Sequence, residues 1–290
     1  MIKFDSKILS SCYINFLFGA GVNGKAFPQV ELFTDTKKFL QEKVPTDSKN
    51  ESLENMFNLL NGVEQKHSRE LFINEFKSKE KTIDYSSDSI KHIKDLLRET
   101  YKLVYNSENR IEAMNQINIF TVNYDFIIEN CLKELGYLNN YVSASNLISN
   151  DKFFNVVGRD YSLKRDIPTF LVSKIHGDIG NPILPGADKY DSVLMPNKFE
   201  IVFKMKEKLM RDNSILFVIG YSGRDDHINR ILKDCVNAGL TVFWFKYCKE
   251  DIVPIEIAEQ VTKIENDDKS DTTALYARLM KELWVESSEK

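Results

Sequence analysis

Four short polar clusters, each directly behind an apolar run, hold residue types from which a reaction could be built. Gly19-Ala20-Gly21 follows Ile14–Phe18. Glycines there let a backbone approach a pyrophosphate, and a following helix would offer free N–H donors; a plain strand-to-helix turn gives the same residues. Thr121-Val122-Asn123-Tyr124-Asp125 follows Ile117–Phe120. A carboxamide at a strand end can hydrogen-bond a ribose hydroxyl and a water without burying charge, while Asp125 could equally cap the next helix. His176-Gly177 follows Phe170–Ile175. With an unperturbed pKa of ~6.5, an imidazole can take a proton from water or a ribose hydroxyl near neutral pH. Gly220-Tyr221-Ser222-Gly223-Arg224-Asp225 follows Ile215–Ile219, with Ser222 placed to touch a phosphate or to cap a helix. The remaining histidines carry less: His67 and His92 sit in polar helical sequence, and His227 is expected to be exposed in a first helical turn.

The elements that must position these clusters follow from periodicity. The apolar runs are short and rich in branched and aromatic residues, and Val242–Phe245 adds one more, so they read as strands buried on both faces. Ile228, Ile231, Leu232 and Cys235 recur at helical spacing, with Asp225 and Asp226 suited to the first turn. Strand alternating with helix predicts an α/β, Rossmann-like, mostly parallel sheet flanked by helices. Ligands of such sheets bind beyond the carboxyl ends of the strands, where all four clusters would fall. From about 50 to 112 the pattern is helical throughout: Leu53, Met56, Phe57 and Leu60 trace one face, and Ile90, Ile93, Leu97, Tyr101 and Val104 another. This predicts a helical insertion in a single domain spanning 1–290, serving as a lid or an oligomer surface. Residues 155–166 read as a small hairpin or an extended loop.

Composition narrows the classes. The chain has 290 residues, 42% of them hydrophobic, enough for a sizeable core. A net charge of −4 gives no electrostatic reason to bind nucleic acid. No apolar run reaches membrane-spanning length, and the first residues lack the apolar stretch of a secretory signal. Cys12, Cys131, Cys235 and Cys248 lie far apart, as reduced thiols in a cytoplasmic protein would, and build no zinc ribbon. No metal is expected.

In order and spacing together, the four clusters resemble the sirtuin superfamily, over about Phe16 to Phe245. Gly19-Ala20-Gly21 resembles its phosphate loop. Thr121-x-Asn123-Tyr124-Asp125 and Gly220-Tyr221-Ser222-x-x-Asp225 resemble the T-x-N-Y-D and G-Y-S-x-x-D forms of bacterial sirtuin-like proteins. Lys174-Ile175-His176-Gly177 resembles the segment holding the family's catalytic histidine. Three departures stand out: the four-cysteine zinc module of deacylases cannot be built, Asn23 replaces the usual loop serine, and Phe27-Pro28-Gln29 stands where an arginine is expected. They favour resemblance to prokaryotic antiphage effectors that hydrolyse NAD⁺.

That resemblance implies an NAD⁺ hydrolase cleaving the nicotinamide–ribose bond, with NAD⁺ as substrate. It gives His176, Asn123 and Asp125 the catalytic shell, and Gly19, Ala20, Gly21, Thr121, Gly220 and Ser222 the dinucleotide. It also implies restraint of a self-toxic activity by a homo-oligomer or a separate sensor subunit, such as an ATPase or nucleotide-processing enzyme. A separate subunit is the expectation because the chain ends soon after a helix near Thr273–Leu283. The competing readings are an NAD⁺-dependent protein deacylase and a non-catalytic subunit that senses NAD⁺ or ADP-ribose.

Overall fold

The computed structural model describes residues 8–9, 11–105, 110–111, 114–135, 139–143, 159–160, 165–166, 169–180, 182–183, 196–248, 252–266 and 271–288. Its frame is a seven-stranded sheet made of β1 (Tyr13–Phe18), β2 (Ile117–Thr121), β3 (Asn139–Ser143), β6 (Phe170–Lys174), β7 (Ser214–Ile219), β8 (Thr241–Phe245) and β9 (Thr262–Ile264), in the order β3-β6-β2-β1-β7-β8-β9. Every pairing in it is parallel. The two-residue strands β4 (Arg159–Asp160) and β5 (Arg165–Asp166) form a separate antiparallel ladder within the segment read as a hairpin or loop.

The central strands β1, β2 and β7 are buried because their side chains meet one or other of two covered faces. Phe16, Phe18, Phe217 and Ile219 pack into one core, whereas Leu17, Leu216 and Val218 between them pack into the other. That is the two-residue alternation of a strand, with both faces apolar, as a parallel sheet requires. On the first face lie α1 (Thr34–Lys43), α2 (Leu53–Leu59), α3 (Gly62–Glu80), α4 (Asp88–Tyr105), α5 (Ile127–Glu134) and α8 (Thr272–Ser288). Tyr276 of α8 is fully buried there, edge-on to Phe16 and Phe217 at 5.4 and 5.2 Å between ring centres. Its hydroxyl lies 3.0 Å from Thr100 Oγ1 of α4, which satisfies a polar group that burial would otherwise strand. The second face is covered by α6 (Pro196–Leu209) and α7 (Asp226–Asn237).

Between residues 50 and 112 the described elements are the helices α2, α3 and α4, with no strand among them. Their apolar stripes join the first core through Leu53, Met56, Phe57, Phe72, Phe76, Ile90, Ile93 and Leu97.

Chain order makes the site. From β1 the chain moves outward on one side through β2 to the edge strand β3, comes back to set β6 between β3 and β2, then crosses to place β7 against the other edge of β1. The direction of winding reverses between β1 and β7, so a crevice opens at their carboxyl ends. None of the described helices is long and apolar enough to cross a membrane.

Candidate active site

The carboxyl ends of β1, β2, β6 and β7 border one cavity of about 230 Å³, lined by Gly19, Ala20, Gly21, Asn123, Asp125, His176, Gly220 and Ser222. Phe57, Phe72 and Phe76 from α2 and α3 also line it, so the helical stretch forms part of the wall. Thr121, expected to touch ligand, stands behind the loop instead: it is buried, and its Oγ1 accepts the Asn123 N–H at 3.1 Å.

The β1 and β7 turns interlock through glycine. Gly21 N–H donates to Gly220 O at 2.9 Å. Gly220 has φ +66°, and a Cβ there would lie 2.2 Å from Val22 N and 2.4 Å from Gly21 C. No other residue fits without moving backbone. A helix after Gly21 was expected; the chain makes only a 3₁₀ turn at Ala20–Asn23, and α1 begins at Thr34. This turn, not the N-terminus of a full helix, borders the cavity through Ala20, Gly21 and Asn23, and the Gly21 and Val22 N–H groups are taken by Gly220 O and Gly19 O.

The loop after β2 is fixed by side chains from afar. Asn123 lines the cavity, and its Nδ2 donates to Gly19 O at 3.1 Å, so Oδ1 is the acceptor its side chain can offer a ligand. Asp125 uses both oxygens: Oδ1 accepts the Ile127 N–H at 3.0 Å and Oδ2 accepts Asn23 Nδ2 at 2.7 Å. It therefore serves as a turn-former at the start of α5 and as a tether to the β1 turn. Asn23 Oδ1 is buried and has no hydrogen-bond partner, although the residue lines the cavity. Below the loop, buried Lys174 donates to Asn123 O at 3.2 Å and to Asp125 O, and pairs with Glu129 Oε1 at 3.2 Å. Burial pushes the Glu129 carboxyl above the usual range, and the Lys174 ammonium pulls it back.

His176 is 3% exposed and is not alone. Its Nε2 lies 3.2 Å from His227 Nε2 and 3.8 Å from Asp225 Oδ1. His227, expected at the surface, is buried, because the first turn of α7 faces the crevice rather than solvent. Asp225 occupies the N-cap of α7, so Ser222 is not the cap; it is exposed on the cavity rim. Sequence reasoning thus missed His227, Asn23 and Lys174 as parts of the site. For His227 the run Asp225-Asp226-His227 behind a glycine turn was a usable signal; for Asn23 and Lys174 their partners are 102 and 49–51 residues away, and nothing local marks them.

A family model described as SIR2-like domain matches residues 117–267, just over half of the chain. No curated protein sequence matches significantly. Among solved structures, one described as a crystal structure of a SIR2 homolog–NAD complex is 12% identical, with 98% of this chain and 95% of that chain covered and a TM-score of 0.48. A second, described as the structural basis for the mechanism and regulation of Sir2 enzymes, is 11% identical, with 98% and 97% covered and a TM-score of 0.46. The sequence match, not these distant likenesses, decides the family.

Proposed function

The chain belongs to the SIR2-like domain family, and from that premise we propose that it is an NAD⁺ hydrolase releasing nicotinamide and ADP-ribose. The observation that carries this reading is the convergence of His176, Asn123 and two interlocked glycine turns on one cavity. The solved relative described as a SIR2 homolog–NAD complex adds the dinucleotide as the ligand to test first.

The chemistry asks little of an acid. Nicotinamide leaves as a neutral amine from a pyridinium cation, and positive charge develops on the ribose as in glycoside cleavage. What the protein must supply is a fixed ribose, a dry site and one placed nucleophile. Asn123 Oδ1 would accept a hydrogen bond from a ribose hydroxyl or the attacking water. His176 would be the general base, taking the proton from water or hydroxyl; its Nε2 must first give up the contact with His227. Asp125 and Lys174 hold the Asn123 loop and take no proton. Gly19, Ala20 and Gly21 would receive the pyrophosphate, their backbone free of bulky side chains so that the ligand can approach closely, with Gly220 and Ser222 toward the adenosine half. The enclosed volume is below the roughly 300–1,000 Å³ of small-molecule sites, so part of a dinucleotide would lie along the open rim at Ser222. Action as an antiphage effector that depletes NAD⁺, and restraint in the cytoplasm by a homo-oligomer or by a sensor subunit, complete the proposal.

The test is a product assay. With NAD⁺ alone the chain, or the chain with its partner subunit, should release nicotinamide and ADP-ribose in equal amounts. His176→Ala should lower release about 10²–10⁴-fold with an unchanged far-ultraviolet spectrum. Acyl-ADP-ribose formed only with an acylated peptide would identify a deacylase. Binding of NAD⁺ without turnover under every activated condition would identify a sensing subunit.

A further inference from the structure

We propose that His176, His227 and Asp225 form a binding site for a divalent transition-metal ion of the zinc type, with its remaining coordination position open to the cavity. The three ligating atoms lie within 4.8 Å of one another, and they are the only such group of three among the described residues. The two imidazoles meet through their Nε2 atoms at 3.2 Å. In a tetrahedral zinc site with Zn–N distances of about 2.0–2.1 Å, the edge between two ligand nitrogens is about 3.3–3.4 Å. The histidine pair therefore already stands close to the spacing the ion requires.

Asp225 Oδ1, 3.8 Å from His176 Nε2, needs to close by about 0.5 Å to reach that same edge. Its side chain is 11% exposed and sits at the head of α7 on the cavity wall, where a carboxylate can swing. Two imidazoles and one carboxylate are the ligand types zinc accepts in open sites. The positive end of α7 and the neighbouring Arg224 oppose a cation; Asp225 and Asp226 offset them. Whichever ring donates in the present 3.2 Å contact must move its proton to Nδ1, so that both Nε2 lone pairs face the ion.

Binding rests on this geometry alone. Its consequence rests on the functional reading above: an ion here takes the lone pair of the general base, so occupancy silences nicotinamide release and chelation restores it.

The experiment uses the full chain, freed of metal by a chelator and titrated with Co²⁺. The expected result is the ligand-field absorption of tetrahedral cobalt, saturating at one ion per chain and abolished by one equivalent of Zn²⁺. His227→Asn and Asp225→Asn should each weaken the titration tenfold or more, whereas His67→Asn on the exposed face of α3 should not change it. Thermal melting checks that each variant folds; should one fail, the other decides. Absence of the cobalt spectrum, or a titration that both substitutions leave unchanged, overturns the site. Zn²⁺ bound with nicotinamide release undiminished overturns the inhibitory consequence alone. A chain that binds cobalt yet never releases nicotinamide refutes the hydrolase reading and leaves the metal site standing.

Discussion

The loop after β2 and the turn after β7 face each other across the cavity, and they are held by opposite means. The first is buried and pinned by side chains: Asn123, Asp125 and Lys174 are at most 7% exposed, and their bonds reach to Gly19, Asn23 and Glu129. The second is shaped by backbone. Gly220 sits in the left-handed region against Gly21, and Asn229 Nδ2 returns to Gly223 O at 2.7 Å, while Ser222 and Arg224 stay exposed. The pinned side suits a group whose position must not vary, the carboxamide of Asn123. The open side suits the part of a ligand that enters and leaves.

The contrast breaks first at Lys174. Lys174→Met strands the buried Glu129 carboxylate and should cost about 3–5 kcal/mol of stability, read from urea midpoints. Lys174→Met with Glu129→Leu should recover much of that loss, and nicotinamide release should stay low because the Asn123 and Asp125 carbonyls have lost their donor. Full recovery of release in the double variant would show that the pair does not position the loop.

On the opposite side, Gly220→Ala should destabilise by about 3 kcal/mol, since its Cβ meets backbone rather than a movable side chain. A melting temperature equal to the parent's would show that the two turns are not interlocked.

The smallest effect sharpens the comparison. Glu80, at the end of α3, faces Asp125, Asp178 and Lys174 and accepts the Phe126 N–H; burial, then the Asp125 charge, raises its carboxyl above the usual value. A carboxyl whose folded pKa is raised favours the fold in its protonated form. That contribution is complete below the unfolded value near 4.5 and is lost as pH rises through the folded value. Glu80→Gln should therefore be more stable than the parent at pH 7, with the gain shrinking toward pH 4. A gain that is constant with pH would remove Glu80 from the network.

Much of this was legible in the residues. The five hydrophobic runs became β1, β2, β6, β7 and β8, and the four polar clusters stand at their ends, because a fully buried parallel strand needs an unbroken apolar run. The edge strands β3 and β9 carried no such run: Asn139-Asn140-Tyr141-Val142-Ser143 is mostly polar, and Thr262–Ile264 has two exposed residues. The expected helix behind Gly21 failed because apolar spacing there does not continue.

The sequence by itself determined which residue types end each strand, and thereby the α/β layout and the neighbourhood of the site. Only the tertiary structure decided that His227 turns inward to meet His176, that Asn23 reaches Asp125, and that Lys174 supports the Asn123 loop. Those contacts span 51, 102 and 51 positions. Periodicity records how a side chain is buried relative to its own element; which distant group shares that burial is set by how the elements stack.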